Sequence, residues 1–444
     1  MNARIETPFD ANQLRLTGLN AWLAKKMGNP SQRTLGVLRT LFPIVWAPAF
    51  RNLIPGIPVP WSPFWRFVTR YDDVVEVLTH HEVFNVPWVE ETKLLNDGKP
   101  GGTNFILGLD GDEEYHRQLR LVMEFFKRQD VANIVVPAAR HAAEEILDNC
   151  GGTVDAIQDF ITEVPLRICE QYYGLFIPPG EIRKQFTLGT IAMSGYLFGP
   201  PFARAAVHDI VLAGAQVARA VIQQSIDQEI ADARQEPPRP LKDTVLARLA
   251  RGHLTRNAEI SDGLIRAFMM GMVTGFVPTN TIAGGHILEM LLTRQEFFDA
   301  ARAAARSGDD QLLSRCLFEA MRFKPLNPGP WRMCAKDYVL ARGTRRAKKI
   351  RKGTLVLAST QSAMFDPRQV RDPHRFDPGR PASDYMLFGH GLHWCAGRYI
   401  ADAQITQTFK ALLLKKNLRR APGEAGTLRL LGLFPEHLNV QFDV

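Results

Sequence analysis

The stretch Phe388-Gly389-His390-Gly391-Leu392-His393-Trp394-Cys395-Ala396-Gly397 is the part of this sequence that decides the fold. It is a loop with two glycines that leads into a cysteine, and an apolar periodicity typical of a helix follows from about Ala396 to Leu414. Amide groups at a helix start, together with the positive end of the helix dipole, stabilise a thiolate. The glycines let the loop backbone pass close to a flat and bulky group.

A thiolate held in this way suits a soft iron centre such as haem iron. The alternative for a single cysteine is a small buried hydrophobic residue, which is the commoner role. The pattern around the cysteine favours the iron ligand, because it resembles the haem-binding signature of the cytochrome P450 superfamily at every fixed position. The resemblance implies that Cys395 is the axial ligand of the haem iron. It also implies haem contacts for the other signature residues, which are Phe388, Gly389, His393 and Gly397.

Four cations match the positions that bind the haem propionates in this family. His116 and Arg120 resemble its HxxxR element, and at this spacing on a helix both side chains project together and can hold an anionic group. By the same resemblance, Arg332 and His393 occupy the other propionate positions. Each of these residues alone could be an ordinary surface cation. Together with the cysteine loop they predict haem b (iron protoporphyrin IX) as the cofactor.

A charge network is predicted beside the haem loop. Glu319 and Arg322 resemble the family's ExxR helix, and their spacing lets them pair on one helix face. The resemblance adds Arg375 as a third member. An exposed ion pair is usually worth about 0–1 kcal/mol. Apolar neighbours such as Leu317 and Phe318 instead predict a buried pair with a structural role.

The long apolar stretch Ser261–Leu292 predicts a buried central helix. In the family this helix carries an oxygen-activating segment, and the corresponding residues here are Gly275-Phe276-Val277-Pro278-Thr279. The alcohol is kept, so Thr279 is the predicted catalytic residue. Pro278 replaces the usual acid and Phe276 a glycine that leaves room for dioxygen, so oxygen activation is expected to be inefficient. The alternative is a proline kink in a core helix, with Thr279 bonded to a backbone carbonyl.

Composition and charge are those of a globular protein. The 444 residues are 45% hydrophobic and 23% charged, which excludes a disordered or fibrous chain. The net charge of +8 is concentrated in the run Arg342–Lys352. We interpret this run as a solvated loop between two strands, Tyr338–Ala341 and Thr354–Ser359, with contact to an acidic membrane or ligand as the alternative. No aromatic residues interleave with these charges, which argues against nucleic-acid binding.

The five cysteines are odd in number and have no CxxC spacing, which argues against disulfides or a zinc site and favours a reducing compartment. Met1–Arg15 lacks the apolar core of a signal peptide. The apolar stretch Thr34–Phe50 is interrupted by charged and proline residues, so no transmembrane segment is expected. These features predict a cytoplasmic protein.

The periodicities predict a mainly α-helical fold with small β-sheets. Residues 113–308 are almost entirely helical in pattern, whereas Phe64–Thr69 reads as a strand. No repeat or linker divides the chain. We therefore expect one domain over residues 1–444, with an irregular N-terminal segment, about 1–63, packed on it. The resemblance implies the cytochrome P450 architecture, in which haem lies between the central helix and the cysteine loop.

The resemblance implies a haem-thiolate monooxygenase that hydroxylates a lipophilic organic substrate with dioxygen. No flavin or dinucleotide fingerprint is present, so electrons are expected from a separate ferredoxin and reductase. The donor is expected on the cysteine side, against the basic residues Arg117, Lys127, Arg128 and Arg398. Two alternatives stay open. One is a haem-thiolate enzyme that uses peroxide or hydroperoxide (a peroxygenase, isomerase or dehydratase), and the other is a haem-binding protein without turnover.

Family analogy also places the substrate pocket. Its walls are expected from three segments: Val86–Leu109, the central helix around Gly271–Thr279, and Leu326–Trp331. The large apolar side chains expected to line it are Phe84, Trp88, Leu94, Phe105, Phe276, Leu326 and Trp331. Ordinary core packing would produce the same composition.

Overall fold

The computed structural model describes residues 31–46, 65–201, 204–234, 243–256 and 259–444. The fold is mainly α-helical with small β-sheets, as predicted. In the described ranges the α-helices are α1 Gln32–Leu41, α2 Tyr71–Thr79, α3 Val89–Asp97, α4 Glu113–Phe125, α5 Val136–Asn149, α6 Glu163–Ile168, α7 Glu181–Phe198, α8 Arg204–Ala233, α9 Val245–Thr255, α10 Asp262–Thr293, α11 Gln295–Ser307, α12 Asp310–Phe323, α13 Thr360–Ala363 and α14 Arg398–Leu414.

The strands of the described residues form four small sheets. Their bounds are β1 Ile44–Trp46, β2 Trp65–Val68, β3 Phe84–Asn85, β4 Thr153–Asp155, β5 Trp331–Cys334, β6 Tyr338–Leu340, β7 Lys348–Ile350, β8 Leu355–Ala358, β9 Lys416–Arg420, β10 Arg429–Leu431, β11 Phe434–His437 and β12 Asn439–Asp443. A five-stranded sheet has the order β1-β2-β8-β5-β3, with β2 and β8 parallel. The others are the three-stranded sheet β4-β12-β9 and the hairpins β6-β7 and β10-β11.

The central helix α10 is buried as predicted. Ser261 caps its N-terminus by accepting a hydrogen bond from the Leu264 amide, and the helix continues unbroken past Pro278. It packs against α7, α8 and α12. A helix that is apolar all round must be covered on every side, which places α10 at the centre of the molecule.

The basic run supplies the turn and the return strand of a hairpin. Strand β6 pairs with β7, whose residues Lys348–Ile350 belong to the run, and not with Leu355–Ala358, which joins the large sheet. The expectation of a loop over the whole run is therefore wrong, because the run contains the strand β7. The side chain of Ile350 is fully buried, which anchors the return strand close to the turn. Arg346 pairs with Asp73, and the exposed cations of the run are Arg342, Arg345, Lys348, Lys349, Arg351 and Lys352.

Part of the predicted N-terminal segment is ordered on the sheet. Arg39 of α1 is buried and donates to the Ser362 carbonyl at 2.8 Å, while β1 pairs with β2. Met1–Arg15 and the rest of the segment lie outside the described residues. Among the helices that the structure describes, none is long and apolar enough to cross a membrane.

Candidate functional site

The cysteine loop has the geometry expected from its glycines. Gly389 and Gly391 have φ values of 78° and 69°, in the left-handed region that favours glycine. A Cβ atom on Gly391 would collide with the Leu78 carbonyl oxygen. The Cys395 amide donates to the Phe388 carbonyl at 2.9 Å, which closes the loop. Helix α14 begins at Arg398, two residues later than predicted, so the cysteine does lie at a helix start.

The Cys395 thiol is held among backbone amides. Burial raises its pKa, and hydrogen bonds from the amides of Gly397 and Arg398, with the charge of Arg398, oppose that rise. These groups favour the thiolate that a soft metal requires. Burial also raises the pKa of Cys316 and of Cys334, to about 11 in each case, as expected of inert core thiols.

Two of the predicted cations lie beside the loop, where Arg332 is buried and the His393 side chain is 10% exposed. The Arg332 guanidinium donates to the Trp331 carbonyl at 2.8 Å, and burial lowers its pKa to about 10. His393 Nε2 lies 3.5 Å from a carboxylate oxygen of Asp110, and among the described residues it has no hydrogen-bond partner. Burial lowers the His393 pKa, and the neighbouring charge of Arg332 contributes to the same shift while Asp110 opposes it. Both side chains therefore have donor capacity that an anionic ligand could use.

Helix α4 brings the other two cations to the same region. The Tyr115 hydroxyl donates to the Leu392 carbonyl at 2.6 Å, which ties the helix to the cysteine loop. The Tyr115 ring centre lies 5.3 Å from that of His116 and 5.7 Å from that of His393. Arg120 follows one turn later, and both His116 and Arg120 are exposed.

Gly275 and Thr279 lie one turn apart on the same side of the central helix. Thr279 Oγ1 donates a hydrogen bond to the Gly275 carbonyl and a second one, of 3.3 Å, to the Phe276 carbonyl. This is the backbone-bonded arrangement that was the alternative interpretation of the sequence. A Cβ atom on Gly275 would meet no atom within 4 Å, so the space beside Thr279 is open. Space for a small molecule is therefore present at Gly275, one residue before Phe276, which is the position of the family's glycine.

Phe276 follows Gly275 directly on the central helix. Its side chain is buried, and its ring centre lies 5.3 Å from that of Tyr173 in a T-shaped contact. Phe276 precedes Thr279 by three residues, a spacing that keeps the two side chains on neighbouring sides of the helix. The expectation that Phe276 crowds the oxygen site therefore stays a prediction. Pro278 still stands in place of the acid that usually precedes the alcohol in this family.

Thr279 also lines an apolar pocket, called the distal pocket below. Its walls come from the C-terminal half of α7, from α8, from α10 and from the turn between β10 and β11. The lining residues include Ile191, Tyr196, Phe198, Val211, Thr279, Ile282, Leu326, Leu431, Leu433 and Phe434. The sequence predicted Leu326 and Thr279, but it missed α7, α8 and the hairpin, which are remote in the chain and carry no motif.

The remaining predicted wall residues pack elsewhere and do not line this pocket. Phe105 forms a T-shaped contact with Phe268, and Trp331 with Trp65. The others are Phe84, Trp88, Leu94 and Phe276. All of these residues except Leu94 are buried, as the alternative interpretation expects, and Trp88 packs edge-on against Phe198 of the pocket wall.

The predicted ion pair is buried, but its third member is a different arginine. Glu319 and Arg322 are fully buried and joined by two hydrogen bonds of 2.8 and 2.9 Å. Arg380 Nε donates to Glu319 at 3.1 Å, and the Tyr385 hydroxyl does so at 2.8 Å. The side chain of Arg375 is exposed, and only its carbonyl joins the network by accepting from Arg322 and Arg380. The prediction for the Arg375 side chain is therefore wrong.

Comparisons with known proteins identify the family of this chain. The family model named Cytochrome P450 matches residues 208–426. The chain is 25% identical to the mycinamicin IV hydroxylase/epoxidase of Micromonospora griseorubida, over 80% of this chain and 82% of that protein. It is also 25% identical to cytochrome P450 107B1 of Saccharopolyspora erythraea, over 76% of this chain and 79% of the relative. The ligand-free structure of cytochrome P450 TbtJ1 matches with a TM-score of 0.68 at 22% identity, covering 93% of this chain and 97% of that one.

The chain belongs to the cytochrome P450 superfamily. It is a haem-thiolate monooxygenase, and its cofactor is haem b. The residues present fit that cofactor, because this P450 combines a thiol at a helix start with buried donors on Arg332 and His393 and open space at Gly275.

The surface around the cysteine loop of this P450 is basic and partly aromatic. The Arg128 guanidinium carbon lies 4.5 Å from the centre of the Tyr399 ring, and that of Arg398 lies 5.5 Å from the Trp394 ring. Both aromatic side chains are exposed. Arg117 instead forms an ion pair within α4, so it contributes less free positive charge than predicted.

Proposed function

We propose that this P450 hydroxylates a lipophilic organic molecule bound in the distal pocket. The observation that carries the proposal is the position of Thr279, which lines that pocket on the same helix face as the open space at Gly275. The surrounding side chains are mostly aliphatic or aromatic, so an apolar substrate would gain free energy by leaving water there. The name of one relative, the hydroxylase/epoxidase of Micromonospora griseorubida, supports oxygen insertion into an organic substrate.

In this proposal Cys395 is the iron ligand, and the signature residues Phe388, Gly389 and Gly397 shape the loop against the cofactor. Haem b, when bound, supplies an iron centre at which dioxygen is activated and one oxygen atom is inserted into substrate. The amides at the start of α14 hold the thiolate by hydrogen bonds. The apolar lining of the distal pocket excludes water from the reacting region.

Thr279 is the proposed catalytic residue. Its hydroxyl proton is directed to the Gly275 carbonyl, which leaves the oxygen lone pairs able to accept a hydrogen bond from water or another protonated group in the pocket. Pro278 has no proton to give. The chain therefore holds a proton acceptor and donor at one atom, Thr279 Oγ1, without the acid that usually precedes it.

Arg332, His393, His116 and Arg120 are proposed to neutralise the haem propionates. Charge-assisted hydrogen bonds contribute roughly 1.5–3 kcal/mol each. We therefore expect Arg332→Ala and Arg120→Ala each to lower haem retention without moving the Soret maximum, because the iron ligand is unchanged. Haem occupancy after dilution measures this, with the exposed Arg371→Ala as control. Unaltered occupancy in both variants would contradict the assignment.

Pro278 is expected to make dioxygen use wasteful. Introducing the missing acid as Pro278→Asp should increase the fraction of consumed electrons that appear in product. Pro278→Ala is the matched control, since it restores the backbone amide without adding an acid. Tight coupling in the unaltered enzyme, with no peroxide-driven product, would show that the relay is not impaired.

We propose that electrons come from a separate acidic iron–sulfur protein that docks on the surface of Lys127, Arg128 and Arg398. Reduction should slow as salt is added, because the Debye length falls to about 3 Å at 1 M ionic strength. Stopped-flow reduction rates measure this. Arg128→Glu should lose most of the salt dependence, whereas Arg342→Glu in the β6–β7 hairpin should keep it. Rates that do not respond to salt would argue against electrostatic docking.

The function itself is tested by product formation over a panel of lipophilic compounds, once with a ferredoxin and reductase system and once with peroxide. Oxygenated product that depends on the reductase system and dioxygen supports the proposal. Product only with peroxide would favour the peroxide-using alternative, and no product with either would favour a haem-binding protein.

We also propose a cytoplasmic location. All five cysteines are free thiols, and three of them are buried in the core. Such thiols are typical of proteins that fold in a reducing compartment.

A further inference from the structure

The hairpin β10–β11 reaches the distal pocket between two helices, and it meets each of them at a glycine. Its turn, Leu431–Phe434, lines the pocket. A Cβ atom on Gly285 of α10 would lie 2.6 Å from Pro435 Cγ and 2.7 Å from Pro435 Cβ. On the other side, a Cβ atom on Gly195 of α7 would lie 3.3 Å from the Phe434 ring. The hairpin is therefore seated in a slot that the missing side chains leave open.

The adjacent residue, Gly284, provides a comparison for the contact that Gly285 makes. Gly284 and Gly285 are consecutive in the interior of α10, where glycine costs helix stability relative to alanine. A Cβ atom on Gly284 would lie 2.5 Å from Ile161 and would meet only that side chain within 4 Å among its three nearest atoms. Gly284 thus accommodates a core isoleucine, whereas Gly285 accommodates the hairpin.

The hairpin depends on such contacts for its position. It is a two-stranded sheet, a unit that has little stability of its own in water. Its base is held by a hydrogen bond between His437 and Asp155 and by a 2.8 Å hydrogen bond from Gln158 to the Glu436 carbonyl. Towards the pocket, the next residue, Pro435, rests on Gly285. The depth to which the turn enters the pocket is therefore set where Pro435 meets α10.

We propose that Gly285 is a specificity-determining positioning residue, which sets the shape of the distal pocket by fixing the hairpin through Pro435. The inference rests on the proposed role of that pocket as the substrate site. A methyl group at residue 285 cannot be accommodated by rotation of a flexible side chain, because the proline ring is closed on its own backbone. The hairpin must shift as a whole, and its turn must move with it.

The test compares the binding of nitrogen ligands to haem iron, using imidazoles that carry aryl groups of increasing size. Their dissociation constants are read from the shift of the Soret band, which requires haem and an open pocket but no turnover. In Gly285→Ala we expect the ratio of dissociation constants between the smallest and the largest imidazole to change by about tenfold or more, the effect typical of one methylene group in an apolar pocket. Gly284→Ala is the matched control and should keep the ratio of the unaltered protein.

A second variant links the effect to the hairpin. Pro435→Gly removes the ring that the new methyl group would strike, so Gly285→Ala combined with Pro435→Gly should move the ratio back towards that of Pro435→Gly alone. If Gly285→Ala does not fold, Pro435→Gly by itself should still change the ratio, because the hairpin loses its support on α10. An unchanged ratio in the folded variants, with normal Soret shifts, would overturn this inference alone. The absence of any Soret shift in the unaltered protein would overturn the proposed function, and with it the role of the pocket.

Discussion

Cys395→Ala is expected to abolish the strongly red-shifted Soret band that carbon monoxide produces in a reduced haem-thiolate protein. The reason is that the thiolate is the only group at the start of α14 that can supply a sulfur ligand, with the Gly397 and Arg398 amides placed to stabilise it. Spectra of the reduced protein with carbon monoxide measure the effect. Monooxygenase activity should be lost with the band.

The control for this experiment is another thiol with partial exposure. Cys150 is the second cysteine that is not fully buried, and its Sγ atom contacts the Leu147 carbonyl at 3.3 Å. Cys150→Ala should leave the spectrum unchanged. A spectrum typical of an imidazole ligand in the unaltered protein would contradict the assignment of Cys395.

Glu319→Ala is expected to lower the free energy of unfolding by about 3–5 kcal/mol, the usual cost of removing one partner from a buried ion pair. Its carboxylate accepts hydrogen bonds from Arg322, Arg380, Tyr385 and the Asp377 amide, so its loss would strand two buried guanidinium groups. Mostly insoluble or haem-free protein should result. Yield, haem content and thermal unfolding measure the effect, and a soluble, haem-loaded variant with unchanged melting would contradict it.

Two arginines of the following loop form a matched pair for the same network. Arg380→Ala should be nearly as damaging as Glu319→Ala, because the Arg380 guanidinium binds Glu319 and the backbone carbonyl of Arg371 while almost fully buried. Arg375→Ala should be nearly neutral, because that side chain is exposed and only its carbonyl is used. The reverse order of stabilities would restore the assignment made from the sequence.

Local spacing is what made the cysteine loop and the Glu319–Arg322 pair predictable. A thiol before a helix and two charges one turn apart are properties of a few consecutive residues, so the chain carries them wherever it folds. The apolar length of α10 and its central position are likewise readable, because a helix without a polar face has to be covered.

The choice between Arg375 and Arg380 could not be read in the same way. Both arginines lie in a loop without periodicity, and the side chain that turns inward depends on the path of that loop over Glu319 and Tyr385. Phe276 is a similar case, since the register of α10 against Tyr173 decides which ring its side chain contacts.

The distal pocket depends most strongly on tertiary structure. By itself, the sequence determined a helical chain with a cysteine before a helix, a buried ion pair and an alcohol on the central helix. Only the folded structure brings the end of α7, the face of Thr279 and the turn Leu431–Phe434 around one space. The physical reason is that a missing side chain can define a helix contact as much as a side chain that is present. The sequence shows that residue 285 is glycine, but only the folded structure shows that Pro435 packs against it.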